Sequence, residues 1–414
     1  MGLLLGISIV VAVASTASGL FVSNWSPLLL TQLQQSVFPA VQNSISALEY
    51  DKQKNCTDDL SMRPTSIEYL THFNCGNVSI EDDGTVSREF TLFVEENQEI
   101  QISDIGHVTD AWTFNGTIPG PTLRVSEGDH VKITVFNSPN SIRTHSMHMH
   151  SIHASEMDGV QSNPIPPGGN FTYDFIAQPF GLFPYHCHID PIADHINRGL
   201  YGVLIIDPKT PRVEMPEMVM MMNGYDLDYD QEGMILIRPA DQTDEDEDDI
   251  NISMNATDPM GMPESTKEAG EEERDNEIYT VNGKAFDYVN NPIALNVDQK
   301  YRVYLVNMLE FDLINSFHVH GALFDYYPSG TSINPDNANS IDVIILGQGD
   351  RGIVEFEYKY PGRYMFHAHV TEFTDLGWMG FFDVQGAKID QLDTGRTGAG
   401  ESPLHPHNPG DTEL

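Results

Sequence analysis

The chain has 414 residues, room for two domains of ordinary size with ample core. Its 61 Asp and Glu against 21 Lys and Arg leave a formal net charge of −40. That balance excludes a nucleic-acid partner, because phosphate binding needs clustered lysine and arginine, and reads as solubility.

The first 23 residues, "MGLLLGISIVVAVASTASGLFVS", precede any charged side chain; the first is Glu49. Such a run reads as a signal peptide or an N-terminal membrane anchor, and either places the protein outside the cytoplasm, secreted or anchored on the outer face. An extension over residues 24–87 follows, with Cys56 and Cys75 positioned to form a disulfide in an oxidising compartment. That leaves Cys187 unpaired. Further on, "HVKITVFN", "GLYGVLIID", "KYRVYLVN", "IDVIILG", "GIVEFEY" and "GFFDV" are short β-branched or aromatic runs bounded by Gly, Pro, Asn or Asp. They predict strands, and their close spacing predicts an all-β chain of β-sandwiches. Residues 241–276, opening "DQTDEDEDDINISMN", are too acidic and too poor in large apolar side chains to pack, and read as a disordered insertion. The Gly- and Pro-rich tail, 387–414, reads the same way.

Spacing then shows a duplication. "TFNG" at 113–116 is echoed by "TVNG" at 280–283. A strand ending at Asn137 is followed eight residues later by "HSMHMH" from His145, and one ending at Asn307 is followed eight residues later by "NSFHVH" from Asn315. "GLFPYHCH" (181–188) matches "GRYMFHAH" (362–369), and "GLYGVLII" (199–206) matches "GWMGFFDV" (377–384). Two homologous sandwiches, 88–210 and 212–386, account for all four anchors, with the acidic insertion early in the second.

Sixteen histidines occur, and ten fall in four clusters at equivalent places in the two repeats: His145/His148/His150, His186/His188/His195, His318/His320 and His367/His369. On a strand, residues two apart share a face, so each H-x-H presents two imidazoles side by side. Four pairs in register read as metal ligands, although imidazole alone suits copper, zinc, iron or nickel. Cys187, between His186 and His188, points to the opposite side and belongs to a different site. His145 and His195 are available to join it, and a His₂Cys set is the ligand pattern of a blue-copper electron-transfer centre. Structural zinc would want four donors. The axial place falls to Leu200, which cannot coordinate, so a high reduction potential is expected.

The motifs H-x-x-H-x-H, H-C-H, H-x-H and H-x-H, with "GTIPGPTLRVSEGDHV", resemble those of the multicopper oxidases, in particular the two-domain, laccase-like members. The resemblance covers about 113–384. It implies two cupredoxin-like Greek-key β-sandwiches and four coppers per subunit. Type 1 copper would be held by His145, Cys187 and His195, and type 2 by His148 and His318. The type 3 pair would be held by His150, His320, His186, His188, His367 and His369. The interval from Cys187 to His195 is eight residues, where three-domain members use five. The second repeat has Asn315 and Ala368 where the first has His145 and Cys187, so type 1 copper belongs to the first repeat alone.

The same resemblance implies the chemistry. A small reductant (a phenol, a metal ion or a small nitrogen compound) gives single electrons to type 1 copper at the exposed edge of His195. Cys187 passes them to His186 and His188, and O₂ is reduced to water at the trinuclear cluster. Asp158, in "SEMDGV", resembles the family's proton-relay aspartate. His153 reads as a surface residue or a group beside the cluster. The alternative is a copper nitrite reductase, a class with aspartate at the His148 position and no ligand at the His188 position. A copper carrier would leave the cluster histidines unexplained. Two-domain relatives assemble the cluster across a subunit interface, which implies a homotrimer.

Overall fold

The structure, a computed structural model, describes residues 64–102, 106–160, 163–226 and 276–386, together with 49, 50, 54, 56, 237 and 238. The expected leader or anchor, nearly all of the acidic insertion and the tail lie outside the described residues. Among the described residues no helix is long and apolar enough to cross a membrane.

Alternation sets the strands. In His130–Asn137 the side chains of Val131, Ile133 and Val135 are fully buried, while Lys132, Thr134 and Phe136 take the other face. This strand sits in a six-stranded sheet whose order runs Ile237–Arg238, Gly106–Phe114, Val86–Ile102, His130–Asn137, Asn170–Ile176, with Asn77–Ile80 paired onto Val86–Ile102. Facing it is a four-stranded sheet of Leu123–Ser126, Tyr201–Asp207, Gly181–His186 and His148–Met149. Phe90, Leu92 and Val135 from one sheet meet Val125, Phe183 and Leu204 from the other. The second sandwich pairs a six-stranded sheet, from Ile278–Val281 through Glu217–Tyr225, Lys300–Asn307, Arg351–Glu357 and Phe324–Pro328 to Asn339–Ile341, with a five-stranded one. The five run Ile293–Asn296, Met379–Gln385, Gly362–His367, Ile314–Val319, Val343–Gly347.

The duplication holds in register. Val94 pairs with Asn137 in a parallel ladder, and Met222 pairs with Asn307 in its counterpart. The Asn-Gly of "TFNG" and of "TVNG" each puts two successive residues at positive φ, Asn115 and Gly116 at 57° and 73°, Asn282 and Gly283 at 53° and 72°. That backbone is tolerated by Asn and Gly and penalised elsewhere.

The sandwiches bury a shared face. Gly181–His186 and Tyr201–Asp207 are buried at every position, which requires cover on both sides of their sheet. Tyr201, Val203 and Ile205 pack there against Val219, Met221, Val306 and Ile353 of the second sandwich. Beside this apolar contact, buried Arg124 bonds Asp207 at 2.7 Å and Glu217 at 2.7 Å, and buried Arg302 bonds Glu217 and Glu355. Each buried charge is therefore paired, as its loss of water demands. The extension left without a role by the sequence straps the junction. Helix Ser66–Thr71 starts at a Thr65–Glu68 capping box, Tyr69 donates to the Gly120 carbonyl, and Tyr288 donates to the Ser66 carbonyl. The expected Cys56–Cys75 disulfide is formed, and Cys187 is free and buried.

Candidate metal centres

The strand Gly181–His186 and the residues just after it separate two sites. On one side, Cys187 Sγ lies 3.1 Å from His195 Nδ1 and 3.8 Å from His145 Nδ1, all three side chains being buried. The three donor atoms fall within 4.8 Å of one another. The Ser146 amide also points at the sulfur, 3.4 Å away. Leu200 is buried in the same core and its carbonyl accepts from the Cys187 amide. Burial pushes the Cys187 thiol up to about 11 and His195 down to about 3. A neutral imidazole offers its lone pair at once, whereas the thiol ionises here only when a cation replaces its proton. Two nitrogens and one sulfur, with no further histidine, cysteine or carboxylate in the group among the described residues, fit copper better than structural zinc.

His145 is anchored by a residue the sequence reading missed. The Glu96 carboxylate lies 2.8 Å from His145 Nε2, so the ring donates there and keeps Nδ1 for the sulfur side. Burial alone would raise the Glu96 pKa. The hydrogen bonds from His145 and from the Ile142 and Arg143 amides outweigh that and lower it.

The expected exposed edge of His195 is corrected: the residue is 2 % exposed. The long interval after Cys187 is not an open loop but ends in helix Ile192–Asn197, which turns His195 inward. Trp112 covers both histidines edge-on, its ring centroid 4.7 Å from His195 and 5.5 Å from His145. The Arg143 and Arg198 guanidinium carbons lie 4.7 and 4.9 Å from that ring.

On the other side of the strand, His148, His150 and His186 converge, with His150 Nε2 and His186 Nε2 3.2 Å apart. The second sandwich repeats this with His318, His320 and His367, where His320 Nε2 and His367 Nε2 are 3.1 Å apart. His188 and His369 stand at the rims, 5.1 Å from His148 and 5.4 Å from His318 between ring centroids. Tautomers are fixed the same way in both halves. His148 Nδ1 donates to the Asp158 carbonyl and His318 Nδ1 to the Asp342 carbonyl, each at 2.7 Å. His186 Nδ1 donates to the Cys187 carbonyl and His367 Nδ1 to the Ala368 carbonyl. All four Nε2 lone pairs are thereby left for a metal. Burial lowers His186 to about 3 and His150 to about 4, so both imidazoles are neutral at ordinary pH and could serve a metal.

Among the described residues, ring contacts between these histidines stay within each half. Asp158 carries a half-exposed carboxylate 3.2 Å from His148 Nδ1 and 3.6 Å from His153 Nε2. His153 is half-buried, its side chain 7 % exposed and packed against the His148 ring at 5.6 Å between centroids, so it neighbours this histidine group. Gly159 explains the D-G pair: at φ +72° a β-carbon would lie 1.9 Å from the Met147 carbonyl oxygen. In the second sandwich Asn315, Ala368 and Trp378 fill the place of the sulfur site with buried, non-ligating side chains.

Comparison with known proteins agrees with this geometry. Two multicopper oxidase family models match residues 96–211 and 254–388. A solved multicopper oxidase is 38 % identical, with a TM-score of 0.63, covering 77 % of this chain and 96 % of that one. The copper-containing nitrite reductase of Neisseria meningitidis serogroup B is 27 % identical over 303 residues, 70 % of this chain and 69 % of the relative. Laccase-2 of Botryotinia fuckeliana is 33 % identical over 186 residues, 43 % of this chain and 30 % of that protein. Duplicated cupredoxin-fold sandwiches, a donor set suited to copper and these matches together place the chain in the multicopper oxidase family, as a copper-dependent oxidoreductase.

Proposed function

We propose that this protein is a laccase-like oxidase that takes single electrons from a small reductant and reduces O₂ to water. The observation that carries the reading is the two-sided strand. Cys187 lies with His145 and His195, while its neighbour His186 lies with His148 and His150. A type 1 copper would be held by the first set. A type 2 copper held by His148 and His318, and a type 3 pair held by the other six histidines, would complete about four coppers per chain. Bound there, the coppers supply one-electron acceptance at the cysteine site and four-electron O₂ reduction at the cluster.

The protein's own groups do the rest. Trp112 and its two arginines exclude water from the cysteine site and are the matter an incoming electron must cross. Cys187 is joined covalently to His186 and His188, which gives the shortest route onward. Asp158, half-exposed and next to His148 and His153, is placed to pass protons inward from solvent.

The candidate ligands gather as two groups, His148/His150/His186 and His318/His320/His367, so we further propose a homotrimer in which each first sandwich meets the second sandwich of a neighbour. Such a contact is heterologous and closes in a ring. Supporting it, the five-stranded sheet shows an outer face of His318, Ile314 and Ile345, the two isoleucines 47 % and 69 % exposed. An extracytoplasmic location is part of the same reading, supported by the disulfide.

The test is anaerobic reduction followed by O₂ or nitrite, with metal analysis. Bleaching of a blue band that O₂ restores, with water as product and about four coppers per chain, is expected. Reoxidation by nitrite but not by O₂, with about two coppers per chain, would establish the nitrite reductase reading favoured by the Neisseria relative.

A further inference from the structure

Glu96 lies far from the histidine motifs in sequence, yet its carboxylate is 1 % exposed and bonded to a His145 ring that is itself fully buried. Three further donors hold it. The Arg143 amide reaches the same oxygen as His145, at 3.0 Å, the Ile142 amide reaches the other at 3.1 Å, and the Arg143 guanidinium stands 3.7 Å away. All three donors belong to Ile142 and Arg143, on the loop that delivers His145. Each carboxylate oxygen is thus spoken for, and the charge cannot be screened by salt as a surface charge would be.

The second repeat supplies an internal control. Val94 opposite Asn137 corresponds to Met222 opposite Asn307, so Glu96, two residues on, corresponds to Gly224. There the missing side chain is replaced by Asn276, whose Cγ would lie 2.6 Å from a β-carbon on Gly224. The strand position carries a carboxylate in the half with His145 and Cys187; in the half with Asn315 and Ala368 it is Gly224, and Asn276 beside it donates to the Asp312 carboxylate at 2.6 Å.

We propose that Glu96 is a positioning residue that locks His145 in the tautomer needed for ligation and, through its charge, shifts the type 1 site toward its oxidised form. With Cys187 ionised, thiolate and carboxylate together balance a divalent copper ion, the Arg143 guanidinium 3.7 Å away being partly exposed and offsetting the buried carboxylate only in part. A monovalent ion leaves one net negative charge buried. Adding the electron is therefore opposed by Glu96 in surroundings where charge is weakly screened.

This inference rests on the type 1 reading above. The test is a redox titration of the blue band in copper-loaded wild-type, Glu96→Gln and Glu96→Asp proteins, with copper content measured for each. Glutamine keeps an oxygen for His145 and the Arg143 amide but loses the charge. The expected result is a potential raised in Glu96→Gln by a factor of about ten or more in the reduced-to-oxidised ratio, about 59 mV, with Glu96→Asp closer to wild type. A Glu96→Gln protein that keeps its blue band and an unchanged or lowered potential overturns the proposal. If Glu96→Gln loads no type 1 copper, Glu96→Asp decides: a restored blue site supports the role of the charge, and a second failure refutes it. A wild-type protein without a blue band sinks the type 1 reading itself, a distinct outcome.

Discussion

Replacing Ile345 with lysine should separate electron entry from O₂ reduction. Ile345 pairs with Ser316, two residues from His318 on the same outer sheet face, so a neighbour that completes the cluster at His318 must cover it. Full burial of an isoleucine side chain stabilises by about 1.5–3 kcal/mol, and 69 % of this residue remains to be buried, so each contact should gain about 1–2 kcal/mol. Three equivalent contacts in a closed ring make that about 3–6 kcal/mol per trimer, or about two to four decades in the association constant. An ammonium in the same place adds a desolvation cost. Sedimentation at matched chain concentration, blue absorbance and O₂ uptake are the three readouts. Ile345→Lys should sediment as a single chain and lose O₂ uptake. It should keep its blue band, because His145, Cys187 and His195 all come from one sandwich. An Ile345→Lys protein that sediments as a single chain and consumes O₂ at the wild-type rate would refute the divided cluster.

Three other substitutions or conditions probe the same wiring. Trp112→Leu should slow bleaching of the blue band by the reductant while leaving its return with O₂ unchanged in stopped-flow traces, at a stability cost of about 2–4 kcal/mol from the cavity; equal bleaching rates would remove Trp112 from the entry route. Asp158→Asn should lower O₂ turnover by about a hundredfold with copper content intact, because the Asp158 backbone carbonyl, not its side chain, makes the 2.7 Å bond to His148; full turnover would end the proton-relay role. Loading of the cysteine site should release a proton, since burial raises the Cys187 thiol to about 11 and it is protonated at neutral pH. Apparent copper affinity there should therefore rise with pH, about tenfold per unit below that value. His195, already neutral with a pKa of about 3, contributes no proton release at neutral pH. A pH-independent affinity would contradict the buried neutral thiol.

Sequence alone determined what is periodic or local. Residues two apart on a strand share a face, so the H-x-H pairs and the opposed Cys187 were legible from spacing, and Val131, Ile133 and Val135 announced a half-buried strand. The echo of "TFNG" in "TVNG" marked the duplication, and its physical reason is two successive residues at positive φ in each copy, which few other residues accept. Tertiary structure decided what depends on pairing between distant segments. Glu96 reaches His145 only because its strand runs beside His130–Asn137, and Asp342 serves His318 only through the ladder joining their strands. The exposed His195 edge failed as an expectation for the same reason. Nothing local says that helix Ile192–Asn197 would turn inward under Trp112, a residue from another strand. The candidate donors are written in the chain's local chemistry, whereas the partners that orient them, exclude water and set charge are fixed by which strands the core brings together.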